Sequence, residues 1–332
     1  MDNVCHTLVG AALAQSGLRR RTPLALGTLL VAANIPDVDG VLYWMGASNS
    51  AYGFRRGWTH GVLAALVWPF VLAGAVLAWD RWVRRRRRPA AEPARPRALL
   101  WLALLGVATH PLLDFLNTYG VRWLKPFSDA WYYGDALFIV DPWVWLALGA
   151  GVWWSARRWR RGAPGAGRPA GWALALCTAY VAAMFAASAT ARSVARAEIE
   201  RSGASVRRIM AGPLPANPFR RQIVADVGDR YVLGLVELLP RPRFTVDAVS
   251  PVPRHADQPG VAEASRTPEG ASFLGWARFP FFVVERAGGR AVVRIVDARY
   301  TLDPEARFGA LPVTVPLAIP SPAGPATQEP HP

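Results

Sequence analysis

Residues 59–79 read THGVLAALVWPFVLAGAVLAW, and residues 80–88 follow with DRWVRRRRR. At about 1.5 Å of rise per residue, the first stretch is long enough to cross a hydrocarbon core of about 30 Å as a helix. The arginine block directly after it marks the end that stays on the cytoplasmic side of a membrane. Outward from this pair the same grammar recurs. Residues 98–116 and 170–190 are further apolar runs of spanning length, and residues 141–154 reach that length only with their flanking aromatics. Two shorter apolar segments, 4–18 and 22–35, come first and are expected as half-buried or tilted helices. The composition agrees: 52% of the 332 residues are hydrophobic while the formal charge is +15, a combination that works when apolar and basic residues occupy separate stretches. Disorder is excluded for most of the chain. With Cys5 and Cys177 as the two cysteines, a disulfide framework and a Cys-rich zinc module are excluded as well. No basic segment precedes the first apolar stretch, so no cleavable signal peptide is expected.

Charge sets the expected orientation. The connections at 19–21, 81–97 and 157–168 carry three, eight and five arginines, whereas the alternate connections hold Arg55, Arg56, Arg122 and Lys125. The positive-inside rule makes the rich loops cytoplasmic, and six alternating crossings then place both termini outside. An arginine run lying between two spans is a topology signal, and no nucleic-acid partner is expected. Trp abundance fits interfacial belts. After residue 190 the apolar runs stop. Alternating strand-like segments at 222–227, 230–239, 243–248, 273–285 and 290–302 are separated by Pro and Gly turns. The expected fold is therefore mainly α: a polytopic helical membrane bundle at 1–190, a smaller β-rich extracytoplasmic domain at 191–319, and a Pro-rich disordered tail at 320–332.

Chemistry concentrates in the membrane half. Asp2 and His6 share a helix face; Pro36-Asp37-Val-Asp39 puts two carboxylates in a turn; Arg56-Gly-Trp-Thr-His60 opens a span; His110-Pro-Leu-Leu-Asp114 closes another with both side chains on one face. Asp141 begins the next apolar run. Arginine counting puts His6, Asp37, Asp39, His60, His110, Asp114 and Asp141 at the same membrane face, which the motifs themselves do not require. Imidazole and carboxylate together suit a divalent metal, zinc first and manganese second. Each group alone also has a structural explanation: Asp37 and Asp39 as turn residues, Asp141-Pro142 as a helix cap and first turn. Arg56 is placed to hold an anionic group, though a lipid phosphate would serve it equally. The polar, aromatic loop at 117–138, with Asn117, Tyr119, Ser128 and Asp135, is positioned to cover the site.

These four motifs, with Phe127-Ser128 and Phe138-Ile-Val-Asp141-Pro142, resemble the bacterial inner-membrane, metal-dependent hydrolase family over about residues 1–190. That family is distantly similar to zinc-dependent phospholipases C and single-strand nucleases, all-helical phosphodiesterases with multinuclear zinc sites. The resemblance implies that His6, Asp37 or Asp39, His60, His110 and Asp114 are metal ligands. Those enzymes use further His and Glu ligands downstream, and this chain has no histidine between His110 and His255. Asp135 or Asp141 would have to substitute, so one or two metals are expected in place of three. The expected activity is hydrolysis of a phosphoester or related ester at the extracytoplasmic face, and the interfacial location favours a lipid or lipid-linked substrate. Membrane lipids are the expected partners; Asp37 or Asp39 would act as general base and Arg56 would neutralise the substrate. The rival expectation is a non-catalytic metal-binding membrane protein whose β domain regulates or binds a partner.

Overall fold

A computed structural model describes residues 1–41 and 54–316. The expected tail at 320–332 lies outside the described residues, as does His331. Among the described residues the first part holds the helices α1 (Asn3–Gln15), α2 (Ala25–Ala32), α3 (Val62–Trp79), α4 (Pro96–Phe115), α5 (Pro142–Arg160) and α6 (Arg168–Arg201). Helix α3 continues through a π turn, Asp80–Arg84, into Arg85–Arg87. Among the described residues three helices are long and apolar enough to cross a membrane: Val62–Arg87, Pro96–Phe115 and Arg168–Arg201. On α3 the side chains of Leu66, Val67, Phe70 and Val71 are exposed, as are Trp172 and Leu176 on α6. Apolar surface of this kind, left uncovered by protein, suits contact with hydrocarbon.

The first two apolar segments form a half-buried hairpin, as expected. Helix α1 has 13 residues and α2 has 8, so about 20 Å and 12 Å of rise fall short of a crossing. Their role is central. Helix α2 is gripped between α1 and α4 at two glycines: a Cβ on Gly10 would meet Leu29 O at 2.7 Å, and one on Gly106 would meet Ala32 Cβ at 2.5 Å. Small residues let helix backbones approach where no hydrophobic gradient drives them together. Leu29, Ala32, Leu102, Ala103 and Val107 fill the contact. On the other side of α1, Cys5, Val9 and Ala12 pack with Val144 and Leu148 of α5 and with Ala173 and Met184 of α6.

Helix α6 runs past the expected boundary at residue 190. Its last turns turn amphipathic, and Ala191, Ala195 and Ile199 pack on a sheet through Ile209, Ala211, Ile223, Ala225 and Val236. The antiparallel strands there are β1 (Arg208–Leu214), β2 (Asn217–Asp226), β3 (Arg230–Glu237) and β4 (Arg243–Val246), paired in that order. The chain separates into two compact units at Met1–Val252 and Pro253–Pro332, so this sheet belongs with the helices. The second unit holds α7 (Val261–Arg266), α8 (Pro268–Trp276) and the antiparallel meander β5 (Pro280–Ala287), β6 (Arg290–Asp297) and β7 (Ala310–Pro316). Phe273–Trp276, expected in a strand, is the end of α8. Thr267 caps that helix by accepting from Gly270 N, and Pro268 occupies its first turn.

Candidate metal centre

Four stretches bring charged groups to one end of the helical bundle. His6 sits in the first turns of α1. Asp37 and Asp39 lie in the 3₁₀ turn Ile35–Gly40 that follows α2. Arg56, Thr59 and His60 directly precede α3, and His110 and Asp114 occupy the last turns of α4. His6, Asp39, Arg56, His60, His110 and Asp114 are all buried.

Within this group, Asp37, His60, His110 and Asp114 each present one ligand atom, and the four atoms lie within 4.8 Å of one another. His60 Nε2 is 3.1 Å from His110 Nε2 and 3.2 Å from Asp114 Oδ2. His110 Nε2 is 3.5 Å from Asp114 Oδ2, and Asp37 Oδ1 is 3.7 Å from both imidazole nitrogens. Bonds of about 2.0–2.2 Å to a tetrahedral zinc place ligand atoms roughly 3.3–3.6 Å apart, so the spacing matches a cation-sized cage.

The surroundings decide which ring nitrogens carry protons. His110 Nδ1 is 2.7 Å from Ala33 O, which can only accept, so Nδ1 donates, and in the neutral ring Nε2 keeps its lone pair. The Thr59 hydroxyl donates to Asp39 Oδ2 at 2.8 Å and accepts from His60 Nδ1, also at 2.8 Å. In the neutral ring His60 Nε2 is left with its lone pair too. Two lone pairs then face each other at 3.1 Å beside two carboxylates, an arrangement that calls for a cation between them. Asp114 Oδ2, buried at the same point, has no hydrogen-bond partner. This Asp/His group could hold a metal ion. With no ion bound, a proton on the facing imidazoles takes the cation's place, and although burial alone would raise the Asp37 carboxyl, the N–H groups of His110 and His60 then hold it below the usual carboxylate range.

Around the four donors stands a supporting layer. Asp39 lies on the far side of His60, 3.6 Å from Nδ1, and takes the backbone N–H of Arg56 at 3.0 Å. It therefore orients His60 instead of facing the cage. His6 stacks on His110 with ring centroids 3.9 Å apart, and its Nε2 is 3.4 Å from Asp114 Oδ1. That same oxygen receives the Met1 amine at 2.5 Å and the Arg56 guanidinium at 3.0 Å. Arg56 also donates to Asn117 Oδ1 at 3.2 Å and lies over the Tyr119 ring at 4.6 Å. Its backbone is in the left-handed region at φ +48°, a cost that these contacts offset together. The loop at 117–138 thus reaches the site through Asn117 and Tyr119, while Ser128 caps the backbone N–H of Ala130 outside the cage.

Asp141 requires a correction as a ligand candidate. Its Oδ1 accepts from Trp143 N and Val144 N as the cap of α5, and its Oδ2 accepts from Tyr180 OH at 3.2 Å. The start of α5 occupies one oxygen and Tyr180 of α6 the other, and Asp141 stands outside the four-residue cage. Asp135, at φ +52° with its backbone carbonyl bonded to Ser188 Oγ, is likewise outside it. Three supporting groups lie beyond the expected ligands. Thr59 could have been found from its place beside His60. Arg55, 3.4 Å from both Asp37 Oδ1 and Asp39 Oδ1, had only its charge as a signal. The Ala33 carbonyl had none.

Comparison with known proteins places the chain among inner-membrane proteins. Residues 1–191 match the family described as YdjM inner membrane protein. The chain is 26% identical over 180 residues to "Uncharacterized protein YfhP" of Bacillus subtilis strain 168, a match covering 50% of this chain and 48% of that one. It is 29% identical over 161 residues to "Inner membrane protein YbcI" of Escherichia coli K12, covering 41% of this chain and 86% of that one. The chain thus spans about half the length of the Bacillus relative. No solved structure matches it.

Proposed function

The chain belongs to the YdjM inner membrane protein family, and from that premise we propose that it is a membrane-bound, metal-dependent hydrolase acting on a phosphoester or related ester of a lipid or lipid-linked substrate. The observation that carries this reading is the pair of facing Nε2 lone pairs of His60 and His110, 3.1 Å apart and flanked by Asp37 and Asp114. A divalent ion bound there, zinc or manganese by the donor set, would supply Lewis-acid polarisation and an acidified water. The protein's own groups do the rest. Asp39 and Thr59 hold His60 in the ligating tautomer, and the Ala33 carbonyl does the same for His110. Arg56 brings a fixed positive charge to the rim of the cage, where a phosphate would need one. Asp37, the least buried of the four donors, is the carboxylate nearest to incoming substrate and remains ionised.

The location supports a lipid substrate. The cage lies at one end of α3 and α4, opposite the arginine blocks, so the positive-inside rule puts it at the extracytoplasmic interface. Lipids reach that level by lateral diffusion. The test is hydrolysis of chromogenic phosphodiesters and of phospholipids by detergent-purified protein, with zinc, with manganese and after chelation. The expected result is turnover that requires metal and disappears in His60→Ala, with Asp39→Asn reduced. Metal bound at full stoichiometry with no turnover of any ester would overturn the hydrolase reading.

One feature favours a second reading. Four protein donors already complete a tetrahedron, as in closed structural sites. A structural metal predicts that chelation lowers the melting temperature and changes nothing else, whereas a catalytic one predicts lost turnover with the fold largely intact.

A further inference from the structure

At the end of the bundle opposite the cage, α5 and α6 flank an open cavity of about 380 Å³. Its wall is apolar and small: half-buried Ala147, exposed Ala150 and buried Gly151 of α5 and buried Ala173 of α6 line it, and a Cβ on Gly151 would come within 2.5 Å of Ala173 Cβ. Its mouth combines Trp154 and Trp172, both exposed, with Arg158 and Arg168. The two arginines are built into the turn between the helices. Arg158 donates to Pro164 O at 2.7 Å, while its Nε is buried without a hydrogen-bond partner. Arg168 lies across Gly165, whose left-handed φ of +61° and missing side chain make room for it; a Cβ there would meet Arg168 Cδ at 2.7 Å. No carboxylate pairs with either guanidinium among the described residues.

We propose that this cavity is a binding site for an anionic phospholipid, with the phosphate held between Arg158 and Arg168 and one acyl chain lying against the Ala/Gly wall. Three observations carry the assignment. The positive charge is uncompensated by protein, and two guanidiniums at one mouth match a phosphate. The cavity wall is apolar and opens beside α6, a helix long and apolar enough to span, so hydrocarbon is its natural filling. Trp154 and Trp172 flank the charged mouth as ring systems do at the headgroup level. Basic pockets between membrane helices are established headgroup sites in general. Another arginine-lined depression, formed by Arg81, Arg85 and Arg86, has prolines and Ala91 in place of an apolar wall between helices. The proposal is independent of any catalytic role of the cage.

The test is native mass spectrometry of the detergent-purified full chain titrated with phosphatidylglycerol or with phosphatidylcholine of the same acyl chains. Wild type should retain phosphatidylglycerol in preference to phosphatidylcholine. Arg158→Gln/Arg168→Gln should weaken retention roughly 30-fold, from about 1 kcal/mol per arginine. Ala150→Trp, which keeps both arginines and fills the cavity, should weaken it as well. Arg86→Gln/Arg87→Gln should bind as wild type does. Equal retention of phosphatidylcholine, an equal loss in the Arg86/Arg87 variant, or unchanged binding by Ala150→Trp would each overturn the site. Ala150→Trp decides the matter should the double arginine variant fail to fold.

Discussion

The two ends of the helical bundle handle charge in opposite ways. At the cage end, His6, Asp39, Arg56, His60, His110 and Asp114 are buried, and each is tied to several others. At the opposite end, Arg86, Arg87, Arg157, Arg160 and Arg161 stand exposed, and Asp80 is the buried acid, held by Arg84 and by the backbone N–H of Ala94. A solvated arginine needs no partner, because water and headgroups supply one. A buried carboxylate needs a cation in fixed position, since desolvation otherwise exceeds what the fold can offset. The contrast teaches that the exposed end encodes orientation and surface contacts, while the buried end specifies a geometry.

That contrast can be broken by substitution, and the effects should fall in a definite order. Asp114→Ala leaves Arg56, the Met1 amine and the imidazoles around one empty position, and should cost about 3–5 kcal/mol by chemical denaturation. It should also abolish metal retention. Asp39→Asn preserves shape and removes the charge behind His60; metal affinity, read by competition with a chromophoric chelator, should fall about 10–100-fold with the fold retained. Asp141→Ala removes a helix cap, about 1 kcal/mol of stability, and should leave metal content unchanged. If metal is lost there too, Asp141 acts on the cage after all. Arg86→Gln/Arg87→Gln should shift stability by less than about 0.5 kcal/mol and leave metal content alone.

Much of this contrast can be read along the chain before any folding. The arginine blocks at 84–88 and 157–161 locate one end, and the His110-x-x-x-Asp114 spacing puts two donors on one helical face at the other. What could not be read depends on longer-range contacts. Asp37 and Asp39 are two residues apart in a 3₁₀ turn, so they point to different sides of His60, and only the fold says which one faces the cage. Asp141 satisfies both a cap and a ligand pattern until Trp143 N, Val144 N and Tyr180 OH claim its oxygens. The boundary expected at 190 follows the loss of hydropathy, yet α6 continues to Arg201 because Ala195 and Ile199 find the sheet. Segments 4–18 and 22–35 read as half-buried or tilted helices; what the chain alone does not tell is that their close glycine contacts with each other and with α4 make them the support of the site.

The most direct test is the metal stoichiometry of purified wild-type protein beside His60→Ala and His110→Ala, by elemental mass spectrometry after loading with zinc or manganese and exhaustive removal of free ion. The cage predicts at least about one equivalent in wild type and a near-complete loss in each variant. Equal metal in all three proteins, or none in wild type after loading, would contradict it, and the facing imidazoles would then be bridged by a proton alone.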